Sequence, residues 1–159
     1  SGLSRGALYS YFTNKEDLLV LILAQGREIA NRVLTEQIAR GSGPAEKLRL
    51  AIKSHIYLSE AMQTWFYFTY IEARNLPRDE QKRAIESELY TEKIFIDIIN
   101  EGIAEEVFRD ENVVLAASVI KAMLQDWYLK RWKYKNRKVS VDDYADFVIH
   151  VAESVLLIK

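Results

Sequence analysis

No cysteine occurs in the 159 residues, which excludes disulfide frameworks, thiolate nucleophiles and Cys-ligated metals, and suits a cytoplasmic protein. Proline numbers two and glycine six; a chain so poor in both is neither a linker nor a low-complexity segment. Excess charge is missing as well. Lys and Arg total 22 against 23 Asp and Glu, a net charge of −1, so nucleic-acid binding would have to rest on a local patch. A long apolar run is also lacking: the longest, Leu18 to Ala24, falls far short of the roughly 20 residues a spanning helix needs, and no membrane partner is expected.

What the chain does have is a hydrophobic content of 49%, enough for one domain with a real core. Nearly every segment is helically periodic and none alternates cleanly, which predicts an all-α helical bundle. Ser4 caps a short helix to about Tyr11, with Leu3 and Leu8 as a hydrophobic staple. Thr13 and Glu16 form a capping box for a helix over about 14–36. The stretch Gly41-Ser42-Gly43-Pro44 is the clearest break, so residues 1–40 and 41–159 read as separate units. From Ala45 a helix carries Leu48, Ile52 and Ile56 on one face. Met62 to Ala73 is apolar almost all round and is expected to be buried on more than one side. Pro77 precedes a long amphipathic helix, Asp79 to Val107, with Ile85, Leu89, Phe95, Ile96 and Ile99 inward. After a turn at Phe108–Asn112, one helix runs from Val113 to about Tyr134, and Ser140 with Asp143 caps a last one through Leu157.

Those last two helices each carry more than one apolar face, which predicts pairing with a second copy of the chain. The residues assigned to that interface are Ile120, Leu124, Tyr144, Val148, Val151, Ala152 and Val155.

The opening residues carry chemistry of their own. In a helix over Ser4–Phe12, Leu8 and Phe12 share the packing side, while Arg5 and Tyr9 share the outer one. Arg5 suits guanine edges in a major groove, and small Gly6 and Ala7 allow close approach. Tyr9 and Tyr11 hydroxyls suit phosphate oxygens. Lys15 sits in the first turn of the next helix, where a phosphate is a natural ligand.

The stretch SGLSRGALYSYFTNKEDLL resembles the end of the helix-turn-helix in TetR-family transcriptional regulators, through Gly2-Leu3-Ser4, Gly6, Leu8-Tyr9, Tyr11-Phe12, Asn14-Lys15-Glu16 and Leu18-Leu19. The resemblance implies a recognition helix near 4–11, a linking helix, a ligand-binding core and a dimeric four-helix bundle. On it, Ser4, Arg5, Gly6, Ala7, Tyr9, Tyr11 and Lys15 fall where the family contacts DNA. The family's first helix and the first half of its motif have no counterpart here, so an operator is expected as partner of the complete protein and not of residues 1–159 alone. The expected function is a ligand-responsive regulator, a repressor released by a small effector. The rival is a helical ligand-binding or interaction module with no DNA role.

The block Trp65, Phe66, Phe68 and Tyr70 resembles a pocket wall, faced by Tyr90, Phe95 and Trp127, because large rings leave gaps a ligand fills. The family resemblance implies an apolar or amphipathic effector there, in the class of fatty acids or acyl-CoAs. The basic run Lys130 to Lys138 reads either as a site for acyl-CoA phosphates or as a solvated helix end, and the second is preferred. Its acidic counterpart would be Asp97, Glu101, Glu105, Glu106, Asp110 and Glu111. His55 lies beside an apolar stripe, and His150 follows Asp146 by four. Neither fits a nucleophile triad or a helical metal motif, so no enzyme activity, metal or cofactor is expected.

Overall fold

The structure is a computed structural model and describes residues 15–159, apart from the side chain of Glu16. The helix expected over 4–11 and the Thr13/Glu16 capping box lie outside the described residues. Among the described residues the chain forms α1 (Lys15–Ile38), α2 (Pro44–Ala61), α3 (Gln63–Ile71), a 3-10 turn (Ala73–Asn75), α4 (Arg78–Ala104), α5 (Val113–Leu129), α6 (Arg131–Asn136) and α7 (Val141–Leu156). The fold is all-α.

The break between α1 and α2 needs no side-chain cap at Gly43. Glu46, one turn in, accepts from the Ser42 backbone N–H at 3.0 Å and from its hydroxyl, while Pro44 occupies the first turn. Helix α2 then buries Leu48, Ala51, Ile52, His55, Ile56 and Ser59, a stripe wide enough to make it the central helix, packed on α1, α4, α5 and α7. Asn112 and Ser140 cap α5 and α7 by accepting from the N–H of Leu115 and of Asp143.

The core is one cluster shared by α2, the second half of α4, α5 and α7. Ile52, Ile56, Phe95, Ile99, Leu124, Val148 and Leu156 meet there around a fully buried Trp127. Each such aliphatic or Phe side chain contributes about 1.5–3 kcal/mol by leaving water. The α4–α5 turn closes on the core through Phe108, whose ring lies over Gly102. A Cβ on Gly102 would sit 1.9 Å from Phe108 Cδ2, so only glycine fits without a shift. A smaller cluster of Ala30, Leu34 and Leu58 holds α1 to α2.

Three expectations are corrected. Met62–Ala73 is not buried on more than one side: no residue of α3 is fully buried, and Tyr67, Tyr70 and Ile71 are exposed. The helix lies at the edge of the bundle, where its rings flank a void instead of neighbours. Ile85 and Leu89 are likewise 61% and 59% exposed, because the first half of α4 faces that void and the helix reaches the core from Ile94 onward. The single helix expected over 113–134 is broken at Lys130 (φ −121°, ψ 38°) into α5 and α6.

Candidate ligand cavity

Between α1, α3, the 3-10 turn, the first half of α4 and α5 lies an open cavity of about 670 Å³, with His55 of α2 at its back. That volume is typical of a small-molecule site. Its aromatic wall is continuous: Phe66 meets His55 edge-on at 5.7 Å, Trp65 at 5.1 Å and Tyr128 at 5.3 Å. Trp65 also ties α3 to α1, since its indole N–H donates to the Ile22 carbonyl at 3.3 Å and its ring lies over Gly26. A Cβ at Gly26 would come within 2.1 Å of that indole.

The polar side of the cavity is unusual for its burial. Lys121 is 4% exposed, and its ammonium donates to Thr91 Oγ1 at 2.9 Å and pairs with Glu88 Oε2 at 3.2 Å. Gln125 Nε2 donates to the other Glu88 oxygen at 2.9 Å. Burial pushes the Lys121 pKa below its usual range, and Glu88 opposes that shift. His55 is 3% exposed and its Nδ1 has no hydrogen-bond partner. Burial, reinforced by the charge of Lys121, drives its pKa from the usual 6.5 down to about 3, so the ring is neutral near pH 7. Burial also raises the Tyr128 pKa. Behind the lining residue Arg27, buried Glu80 accepts from Arg27 at 3.3 Å and from Arg83 at 2.6 Å, linking α1 to α4. Arg74, at the mouth, forms no ion pair among the described residues.

Of the residues expected to bind ligand, Trp65, Phe66 and Tyr70 line the cavity. Phe68 and Tyr90 do not; they are 36% and 47% exposed on the outer faces of α3 and α4. Phe95 and Trp127 are corrected to core residues. Trp127 stacks on Tyr134, lies under the Arg131 guanidinium and donates its N–H to Glu60 at 2.9 Å. The polar lining residues His55, Lys121 and Arg27 were not assigned from the sequence, although Lys121 was legible as a lone cation within the apolar stripe Ala117–Ile120–Leu124.

Three of the six cations of the basic run are paired away from the cavity. Lys130 and Lys133 pair with Asp126 at 3.1 and 2.9 Å, and Arg131 pairs with Glu60 at 2.9 Å. Burial opposes ionisation of Asp126, but hydrogen bonds from Tyr134, Lys133 and Lys130 prevail and hold its pKa at about 2. Of the six acidic partners expected, Glu101 pairs with Lys47 and Asp97 with Lys93, and none forms an ion pair with the basic run among the described residues.

The expected interface residues divide. Ile120, Leu124, Val148 and Ala152 are 3% exposed or less and hold α5 and α7 in the chain's own core. Tyr144 and Val151 are half-buried, the Tyr144 hydroxyl donating to the Met123 carbonyl, and Val155 is exposed. The exposed apolar face of these helices is instead Leu115 and Val119 on α5 with Phe147 and Val155 on α7. Of the expected DNA contacts, Lys15 is the exposed first residue of α1; Ser4, Arg5, Gly6, Ala7, Tyr9 and Tyr11 lie outside the described residues. No helix among the described residues is long and apolar enough to cross a membrane.

A helical bundle hollowed between its first and its middle helices defines a class of all-α fold with an open internal cavity, and comparison with known proteins identifies the family. Residues 41–155 match the model of the tetracycline-repressor-like C-terminal domain, and the chain belongs to that family. It is similar to the HTH-type transcriptional regulator HbdR of Aromatoleum sp. (strain CIB), at 24% identity over 143 residues; the match takes in 90% of this chain and 62% of HbdR. Its fold is that of the ketosteroid transcriptional regulator KstR2 of Mycobacterium tuberculosis (TM-score 0.83, 18% identity, covering 99% of this chain and 81% of that one). It also matches the transcriptional regulator FadR of Bacillus subtilis in complex with stearoyl-CoA (TM-score 0.71, 24% identity, covering 95% and 81%).

Proposed function

We propose that this chain is the sensing and dimerising part of a cytoplasmic, ligand-responsive DNA-binding transcriptional regulator, a repressor released by a small apolar or amphipathic effector. One observation carries the reading: α1 is both a wall of the cavity, through Arg27, Ala30, Asn31 and Leu34, and the continuation of the residues that resemble a recognition helix. A ligand that displaces α3 or α4 acts on α1 through the Trp65–Ile22 hydrogen bond and the Arg27–Glu80 pair. The tilt of α1 then changes the spacing of two recognition helices, which must lie about 34–36 Å apart, or a multiple of that, to read a two-fold operator. Residues 1–40 serve DNA binding and the link, and residues 41–159 serve ligand binding and dimerisation.

The relatives support this reading, HbdR as a helix-turn-helix regulator and FadR as one crystallised with an acyl-CoA. The second copy docks on Leu115, Val119, Phe147 and Val155, since these are large apolar side chains left in water on two neighbouring helices. Arg5 reads sequence, whereas Lys15 contacts phosphate. The test is a gel-shift titration of promoter DNA with the full-length protein, with and without a fatty acid or acyl-CoA. The expected result is a specific complex that the effector dissolves. DNA binding that no such compound alters overturns the reading.

A further inference from the structure

We infer that the cavity recognises an amphiphile by a free carboxylate, which docks between Lys121 Nζ and His55 and takes the place of Glu88 as counterion. The inference rests on the cavity being an effector site and goes on to name the chemistry of its head group.

The argument starts from what each group can give up. Lys121 is 4% exposed, and a cation so placed needs an anion beside it, because removing its partner leaves a buried uncompensated charge. The anion it has is not fixed in the same way. The Glu88 side chain is 46% exposed at 3.2 Å from Nζ, so it can swing into water and recover hydration as it leaves. The cavity thus holds a stationary cation and a displaceable anion.

His55 supplies the second contact. Its ring lines the same cavity, 3% exposed, and Nδ1 lacks a partner, a costly state for a buried polar atom. A neutral imidazole carries one N–H, and the tautomer protonated on Nδ1 offers it to an incoming carboxylate oxygen. Thr91 Oγ1 takes one ammonium proton of Lys121 and leaves others for the ligand. Of the remaining charges, Glu92 also acts on Lys121 but is held by Ser118 Oγ, which donates to it at 2.8 Å. Arg27 is already matched by buried Glu80, while Arg74 at the mouth has no acidic partner among the described residues. The same cavity offers Trp65, Phe66, Tyr70 and Leu89 as an apolar or aromatic surface for the body of the ligand. Departure of Glu88 also frees Gln125 and loosens the first half of α4 from α5, which gives binding a mechanical consequence.

Binding of octanoate, octanamide and octanoyl-CoA by residues 1–159, followed by Trp fluorescence and calorimetry, tests this. The acid and amide share size and tail and differ in charge; the thioester keeps the tail and loses the carboxylate. The expected result is octanoate binding at least about ten-fold tighter than either, the size of one charge-assisted contact. Glu88→Gln, which removes the competing carboxylate and keeps the shape, tightens octanoate and leaves octanamide unchanged. Lys121→Met equalises acid and amide. Equal affinity of the unaltered protein for acid and amide, tighter binding of octanoyl-CoA, or weaker octanoate binding by Glu88→Gln each overturns the carboxylate site while leaving the effector cavity standing. If none of the three probes binds the unaltered protein, both the carboxylate site and the effector reading of the cavity fall.

Discussion

The two halves of α4 meet opposite environments. From Phe95 onward the helix buries Phe95, Ile98 and Ile99 against α2, α5 and α7, with Trp127 as the largest side chain of the cluster. Before Thr91 it presents Ile85 and Leu89 to a cavity; of the buried ionisable groups among the described residues, His55, Lys121 and Tyr128 line that cavity and Glu80 sits on the same hollow half of α4. A close-packed core satisfies itself through dispersion and water exclusion and has no use for a charge. A hollow one keeps polar groups at the cost of stability, and such groups are worth retaining where a ligand completes them.

Mutations in the two halves should therefore fail differently. The largest effect is expected in the packed half: Trp127→Ala removes a fully buried indole and its hydrogen bond to Glu60, and should cost about 3–5 kcal/mol in urea unfolding. A cost below 1 kcal/mol would mean that this core is not what holds the fold. Next comes the outer face of the same helices. Phe147→Lys places a charge where two copies are proposed to meet and should weaken dimerisation by about a hundredfold or more, seen by sedimentation, with the fold kept since Phe147 is 66% exposed. An unchanged association constant would move the interface elsewhere.

The hollow half should show itself in pH. His55 titrates at about 3 when folded against 6.5 when unfolded, so the unfolded chain binds the extra proton between those values. Stability is then fully present above pH 6.5 and falls as pH drops toward 3, by about 2 kcal/mol at pH 5. Asp126, in the packed half, contributes in a lower window, its stabilisation lost as pH falls from 3.8 through about 2. His55→Gln should flatten the slope between pH 6.5 and 4 and leave the acid limb below 3.8 intact; a slope that survives this substitution sinks the assignment. The smallest effect is expected at Phe66, a half-buried ring on the cavity wall. Phe66→Ala should cost about 1–2 kcal/mol, well under the Trp127 change, yet abolish the fluorescence response to a bound hydrophobe. Equal costs at the two sites would erase the distinction between the halves.

Periodicity made the helices legible, because an apolar stripe every three to four residues has no other way to be buried. The Ser140 cap and the Gly41–Pro44 break are local events, decided by neighbouring backbone groups, and both stand where the residues place them. The opening motif is local too, which is why a resemblance over so few residues pointed to the family whose model matches the rest. Which of two apolar rows on α7 faces inward was not legible. Phe147, Val151 and Val155 are more apolar than Ala145, Val148 and Ala152, so hydrophobicity alone would turn them inward, and the choice fell to size: the small residues let α7 approach α2 and α5 closely. The cavity was only half legible. Aromatic rings announced a wall, but Phe95 and Trp127 are as aromatic as Trp65 and Phe66, and whether a ring packs or lines a void depends on helices distant in sequence. The sequence alone thus determined the helical class, the Ser140 cap and the family resemblance; tertiary packing alone decided where the bundle fails to close, and so which buried lysine and histidine face the cavity, because a void is a property of how surfaces meet.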